Sequence, residues 1–221
     1  FNRSQSGARS RLDLRNMQNP IQVKETRLDL ERLKRDARRI NNKVCKQLGH
    51  LAVPTDTAYQ ATLAEQLDAA PMSSRLHDYY NVFSFPYDGI QELYIEICQF
   101  FKETCVYDQP YYIHAWLNYL QKGDSVPWHN HWGALSGLRE TYVCSAYINA
   151  EPSNTIYKFP EETYTIACKN NTITLYEDIG DTHMVEPWTG NEPRITISMD
   201  MVPMKYIQGS PFTLNTWMPI I

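Results

Sequence analysis

The sequence predicts a mainly β fold, a sandwich or barrel with helices confined to the segment before it. Two observations carry that expectation. Six period-2 segments crowd residues 111–202, separated by Gly, Asn, Pro and Asp turns, whereas helical periodicity occurs only upstream of them. Fifteen tyrosines and five tryptophans supply the aromatic side chains that strands favour.

At 221 residues the chain has the length of one large domain, or of one domain with appendages. It is 43% apolar and has no apolar run near membrane-spanning length, so it reads as a soluble protein that buries a core and has no membrane partner. The five cysteines form no C-x-x-C pair and leave an odd one over, which favours reduced thiols in an intracellular protein.

Residues 1–24 are polar and aperiodic, an arm either flexible or docked. Over 26–48, Leu30, Leu33, Ala37, Ile40, Val44 and Leu48 recur at spacings of three and four, predicting an amphipathic helix with Gly49 as its stop. A short helix is expected over 56–70, a loop over 71–87, and a second clear helix over 88–105 that buries Leu93, Ile97, Phe100 and Phe101. The strands then follow: 111–120, 141–150, 154–159, 163–168, 172–177 and 194–202. The implied division is a basic arm and helix (1–50), a helical support region (51–110), the β domain (111–203) and a C-terminal tail (204–221).

Charge is distributed unevenly. Residues 1–50 hold 13 Lys/Arg against 5 Asp/Glu, a net of +8, and residues 51–221 hold 8 against 20, a net of −12. A basic arm on an acidic body suits a partner protein, a larger assembly or the chain's own body. Nucleic acid is not favoured, because the basic residues lack interleaved aromatics and any recognition motif. The chain starts at Phe1, so its natural N-terminus is expected upstream.

Chemistry concentrates in "PWHNHW", where His129 and His131 stand at i and i+2 between Trp128 and Trp132. On a strand that spacing points both imidazoles to one face. With the later His183 they form a triad suited to a first-row metal, although imidazole does not by itself name the metal. In "PRITISMD", Arg194, Thr196 and Ser198 share one strand face and Ile195, Ile197 and Met199 the other. An inward Arg194 would need an anion, and an outward one would be an exposed charge; alternation leaves both readings open. His114 alternates with Trp116 and Asn118, while His50 and His77 carry no argument. Nucleophile elbow, phosphate loop, zinc-finger spacing and dinucleotide fingerprint are all missing from the sequence.

The order H-x-H, distal His, then Arg with hydroxyl residues at +2 and +4 resembles the iron(II)- and 2-oxoglutarate-dependent oxygenases. "HAWLNYLQKGDSVPWHNH", "CSAYINA", "IYKFP", "ITLYEDIGDTHMVEP" and "EPRITISMDM" follow the order of an oxygenase subfamily found in bacteria and phages, over roughly residues 88–202. The resemblance implies a double-stranded β-helix, the cupin-like jelly-roll of two sheets. It implies Fe(II) bound by His129, His131 and His183. It also implies 2-oxoglutarate clamped by Arg194, with Thr196 or Ser198 helping and Asn118, Tyr142 and Tyr147 as further candidate contacts. Trp116, Trp128, Trp132 and Trp188 are candidate walls of a dry pocket.

Two departures from the family pattern stand out. The usual motif is His-x-Asp/Glu, and here the carboxylate position holds His131, with Asp181 and Asp124 as substitute ligands. The segment GALSGLRETYV is longer than usual and suits a lid or a partner surface. The resemblance implies an oxygenase, most simply a hydroxylase, acting on a small-molecule or protein substrate. Two alternatives stand beside it: a non-catalytic jelly-roll used in assembly, for example in a phage particle, and a three-histidine cupin-type dioxygenase that does not use 2-oxoglutarate. The corresponding location is cytoplasmic or within a viral particle.

Overall fold

The structure, a computed structural model, describes residues 20–52, 71–105, 107–131, 140–159, 162–207 and 216–221. The helix expected over 56–70 and residue Trp132 lie outside these, as does most of the GALSGLRETYV segment. Among the described residues no helix is long and apolar enough to cross a membrane.

Among the described residues ten strands form two antiparallel sheets, the jelly-roll arrangement expected. They are β1 (Gln22–Glu25), β2 (Tyr111–Leu120), β3 (Val126–His129), β4 (Tyr142–Asn149), β5 (Asn154–Lys158), β6 (Thr163–Ala167), β7 (Thr172–Glu177), β8 (Thr182–Val185), β9 (Arg194–Pro203) and β10 (Met218–Pro219). The larger sheet runs β1-β7-β4-β9-β2-β10 and the smaller β3-β8-β5-β6. The larger sheet thus takes both edge strands from outside residues 111–203. The end of the basic arm is docked rather than loose: β1 pairs with β7, and Asn171 accepts from Thr26 Oγ1 at 2.8 Å and from the Leu28 amide at 3.2 Å.

Helix α1 (Leu30–Leu48) starts where Asp29 accepts the Arg32 amide at 3.0 Å and ends at Gly49. Its buried stripe is Leu33, Ala37, Ile40 and Val44, as the spacing predicts. The 71–87 segment, expected as loop, holds the one-turn helix α2 (Met72–Arg75) and two 3-10 turns. Helix α3 (Asp88–Thr104) buries Leu93, Ile97, Phe100 and Phe101. A last single turn, α4 (Met204–Ile207), follows β9. All five cysteines are free.

The larger sheet is buried on both sides, and its two faces differ. Ile113, Ala115, Leu117, Cys144, Ala146, Ile173, Leu175, Ile195, Ile197, Met199 and Met201 join α1 and α3 in one apolar core. The opposite face of the same strands carries Asn118, Tyr147, Thr174, Tyr176, Arg194, Thr196, Ser198 and Asp200. That second face turns toward the smaller sheet, which sends Thr155, Tyr157, His183 and Val185 to meet it.

The two long helices are joined by one buried charge. No side chain at the start of α3 caps it locally; Asp36 of α1 accepts the Gly89 amide at 3.1 Å instead. A carboxylate at a helix N-terminus satisfies a free amide and meets the positive end of the helix dipole. Asp36→Ala is therefore expected to lower the unfolding free energy by about 1–3 kcal/mol. Gly89→Ala should also destabilise, because its Cβ would stand 2.9 Å from Asp36 Oδ2. Urea denaturation checks both, and wild-type stability in the pair would show that this contact does not hold the helices.

Candidate metal centre

Antiparallel pairing of β3 with β8 sets His129 directly opposite His183, with ring centroids 4.2 Å apart. His131 lies two residues beyond the end of β3, so strand alternation alone does not place it. Its ring nevertheless sits 5.4 Å from that of His129 and 4.9 Å from that of His183. One ring nitrogen from each of the three falls within 4.8 Å of the others.

Hydrogen bonding decides which nitrogen faces inward. His129 Nδ1 donates to the Pro127 carbonyl at 2.8 Å, and His131 Nδ1 donates to Asp200 Oδ1 at 2.5 Å. His183 Nδ1 lies 3.3 Å from the Tyr176 hydroxyl and 3.9 Å from Asp181 Oδ2. The Nε2 atoms are left for one another, and those of His131 and His183 approach to 3.3 Å. Two imidazole lone pairs cannot face each other at that distance without a proton or a cation between them.

Burial, helped by the neighbouring imidazoles, pushes His129 and His183 well below the ordinary histidine range. Burial acts on His131 in the same sense, but the carboxylates of Asp200, Asp178 and Asp181 outweigh it and hold His131 above its ordinary value. Burial also raises Asp178 and Asp181. Three convergent imidazoles, each with its outer nitrogen turned to an acceptor, are the donor set that first-row divalent metals take. The residues fit a metal ion.

The two carboxylates weighed as substitute ligands are placed elsewhere. Asp181 lies on the Nδ1 side of His183, away from the nitrogen cluster, and Asp124 accepts the Gln121 amide in a turn.

Arg194 points inward and is 1% exposed. Its Nε donates to Ser153 Oγ at 3.0 Å, one Nη to Thr196 Oγ1 at 3.2 Å and the other to Cys168 Sγ at 3.4 Å. Among the described residues no carboxylate pairs with it. Thr155 Oγ1 lies 3.3 Å from Cys168 Sγ and 3.4 Å from the Tyr147 hydroxyl, which closes a polar cage beside the guanidinium. Thr155 pairs with Val185, two residues along β8 from His183, so about 7 Å of strand separates cage and nitrogen cluster.

Ser198 does not touch Arg194. It accepts from Asn118 Nδ2 at 2.7 Å, and Asn118 accepts in turn from Ser74 at 2.5 Å. Tyr142 turns away from the space between the sheets and packs edge-on against Phe101. Trp116 lies 5.3 Å from the His131 ring and Trp188 is buried, whereas Trp128 is 42% exposed. His114 is structural, with Nε2 bound to the carbonyls of His77 and Tyr80.

Sequence reasoning missed Asp200, Tyr176, Ser153, Thr155 and Cys168. Asp200 had a signal, since it continues the Arg194, Thr196, Ser198 parity. Nothing local marked the others, which reach the site through pairing between distant strands.

No protein-family model matches the sequence, and no curated protein matches it. Solved structures do share the fold. HygX from Streptomyces hygroscopicus, crystallised with nickel and 2-oxoglutarate, matches with a TM-score of 0.50 at 10% identity, over 85% of this chain and 83% of that one. A 2OG-Fe(II) oxygenase-family oxidoreductase from Burkholderia pseudomallei matches at 0.43 and 12%, over 53% of this chain. SnoN, a non-heme alpha-ketoglutarate-dependent epimerase from nogalamycin biosynthesis, matches at 0.40 and 11%, over 52%. The chain spans 59% and 56% of the lengths of the latter two. The match to HygX shows the fold, a double-stranded β-helix.

A buried cation with no counter-ion is costly. Arg194→Met is therefore expected to leave the metal-free protein as stable as wild type, or to stabilise it, where a buried substitution ordinarily costs about 1 kcal/mol or more. Chemical denaturation of metal-free protein measures this. A loss above about 2 kcal/mol would mean that its hydrogen bonds already satisfy the guanidinium.

Proposed function

We propose that the protein is an iron(II)- and 2-oxoglutarate-dependent oxygenase, a hydroxylase in the simplest case, with iron held by His129, His131 and His183 and the cosubstrate anchored on Arg194. One observation carries this reading: an inward-facing imidazole cluster and an uncompensated buried guanidinium share the space between the sheets, about two strand residues apart. A short dicarboxylic keto acid has groups for both ends, and HygX, of the same fold, holds nickel and 2-oxoglutarate.

Iron(II), when bound, supplies the redox chemistry toward dioxygen that side chains lack. The protein's own contribution is binding, orientation and dryness. The Arg194 guanidinium offers a bidentate fork to the distal carboxylate, with Thr196 holding one arm of the fork in place. The Tyr147 and Thr155 hydroxyls, 3.4 Å apart in the cage beside the guanidinium, would be available to donate to a carboxylate held there. Asn118 and Ser198, tied to each other, line the same strand face without competing for the guanidinium. Trp116 over the His131 ring keeps water from that side of the nitrogens.

His131, standing where the oxygenase motif has a carboxylate, favours the second reading of a three-histidine dioxygenase without 2-oxoglutarate. Anaerobic titration with Fe(II) and 2-oxoglutarate separates the readings. Wild type is expected to bind iron and to develop the visible charge-transfer absorption of the chelated keto acid. His183→Ala should lose the metal. Arg194→Ala should keep the metal and bind 2-oxoglutarate roughly 30-fold more weakly or worse, from the loss of about 2–5 kcal/mol at a buried carboxylate pair. Iron without the absorption band would favour the three-histidine dioxygenase, and no iron at all would leave a non-catalytic jelly-roll.

A further inference from the structure

We propose that Asp200 is a positioning residue of the metal centre, supplying through His131 the negative charge that three neutral imidazoles lack. The inference rests on the metal-binding reading above and concerns a residue to which that reading gives no part.

The three outer nitrogens have unlike partners. His129 Nδ1 is bonded to the Pro127 carbonyl, and His183 Nδ1 lies 3.3 Å from the Tyr176 hydroxyl with Asp181 Oδ2 farther off at 3.9 Å; only His131 is hydrogen-bonded directly to a carboxylate. The Asp200–His131 contact is nearly shut off from solvent, with His131 4% and Asp200 12% exposed at the side chain. In such a medium a charge-assisted hydrogen bond is stronger than in water and polarises the ring that donates it. An imidazole whose Nδ1–H is drawn toward a carboxylate gains electron density at Nε2 and is a better metal ligand, and its ring is held in one orientation.

Asp178 and Asp181 add to the field at His131, but they do not share this role. Asp178 Oδ1 accepts the Gly180 amide at 2.9 Å, Asp181 sits on the Nδ1 side of His183, and the two ring nitrogens of His131 meet Asp200 and His183 instead. Asp200 is bonded to that ring, and β9 delivers it. The strand carries Arg194 on the same face at its other end, so one element presents both a cation for the cosubstrate and an anion for the metal.

Asp200→Asn keeps an acceptor oxygen at Nδ1 and removes the charge, which separates charge from geometry. Metal-free wild type, Asp200→Asn and Asp200→Glu would be titrated with Co(II) and, anaerobically, with Fe(II) against a competing chelator. The Fe(III)/Fe(II) midpoint potential would be measured on the iron-loaded forms. The expected result is metal binding about 10–100-fold weaker in Asp200→Asn, a midpoint potential shifted upward, and partial recovery of both in Asp200→Glu. Wild-type affinity and potential in Asp200→Asn would overturn the proposal. Weaker binding at an unchanged potential would overturn the charge role, leaving Asp200 only to hold the ring. If wild type itself binds neither ion, the metal centre and this inference fall together. Metal binding by wild type that is insensitive at residue 200 removes this inference alone.

Discussion

The register of β9 is the constraint on which the rest depends. Buried on both faces, this strand sends Ile195, Ile197, Met199 and Met201 under the helices and Arg194, Thr196, Ser198 and Asp200 between the sheets. Side chains alternate with a period of two, so a one-residue slip exchanges the faces. Such a slip would drive a guanidinium and a carboxylate into an apolar core and open the space between the sheets to isoleucine and methionine. Pairing over ten positions with β2 and with β4 on the other side holds the register. The Arg194 guanidinium and the carboxylate behind His131 are thus placed by one strand and cannot shift independently.

The space between the sheets is polarised along its length. Arg194 stands at one end, with no carboxylate paired to it among the described residues, and Asp178, Asp181 and Asp200 gather around His131 at the other. All four side chains are buried, so these charges act on one another with little screening. Serine, threonine, tyrosine and asparagine line the wall between them, groups that hydrogen-bond without adding charge.

The N-terminal region is a support for this wall. Helices α1 and α3 cover the apolar face of the larger sheet, and the buried Asp36 fixes them to each other. Strands β1 and β10 pair along the two edges of that sheet, covering backbone groups that would otherwise stay open to other chains. Part of the basic arm is therefore structural, bound to the chain's own β7.

Periodicity by itself determined the mainly β class, both long helices with their buried stripes, and six strands to within about a residue at each end, because those features are set by local alternation. Short β1, β3, β8 and β10 were not legible, since two to four residues carry too little pattern. The resemblance pointed to His129, His131, His183 and Arg194. It could not say that His131 stands beyond its strand, that Tyr142 faces the helices, or that Asp181 lies on the far side of His183. The inward turn of Arg194 was undecidable from alternation, because a strand buried on both faces offers two insides. Only the tertiary structure chose, by covering the apolar face with α1 and α3 and so leaving the polar face to meet the smaller sheet. It also brought Ser153, Thr155 and Cys168 to the guanidinium and Asp200 to His131, contacts made across sheets between residues far apart in the chain.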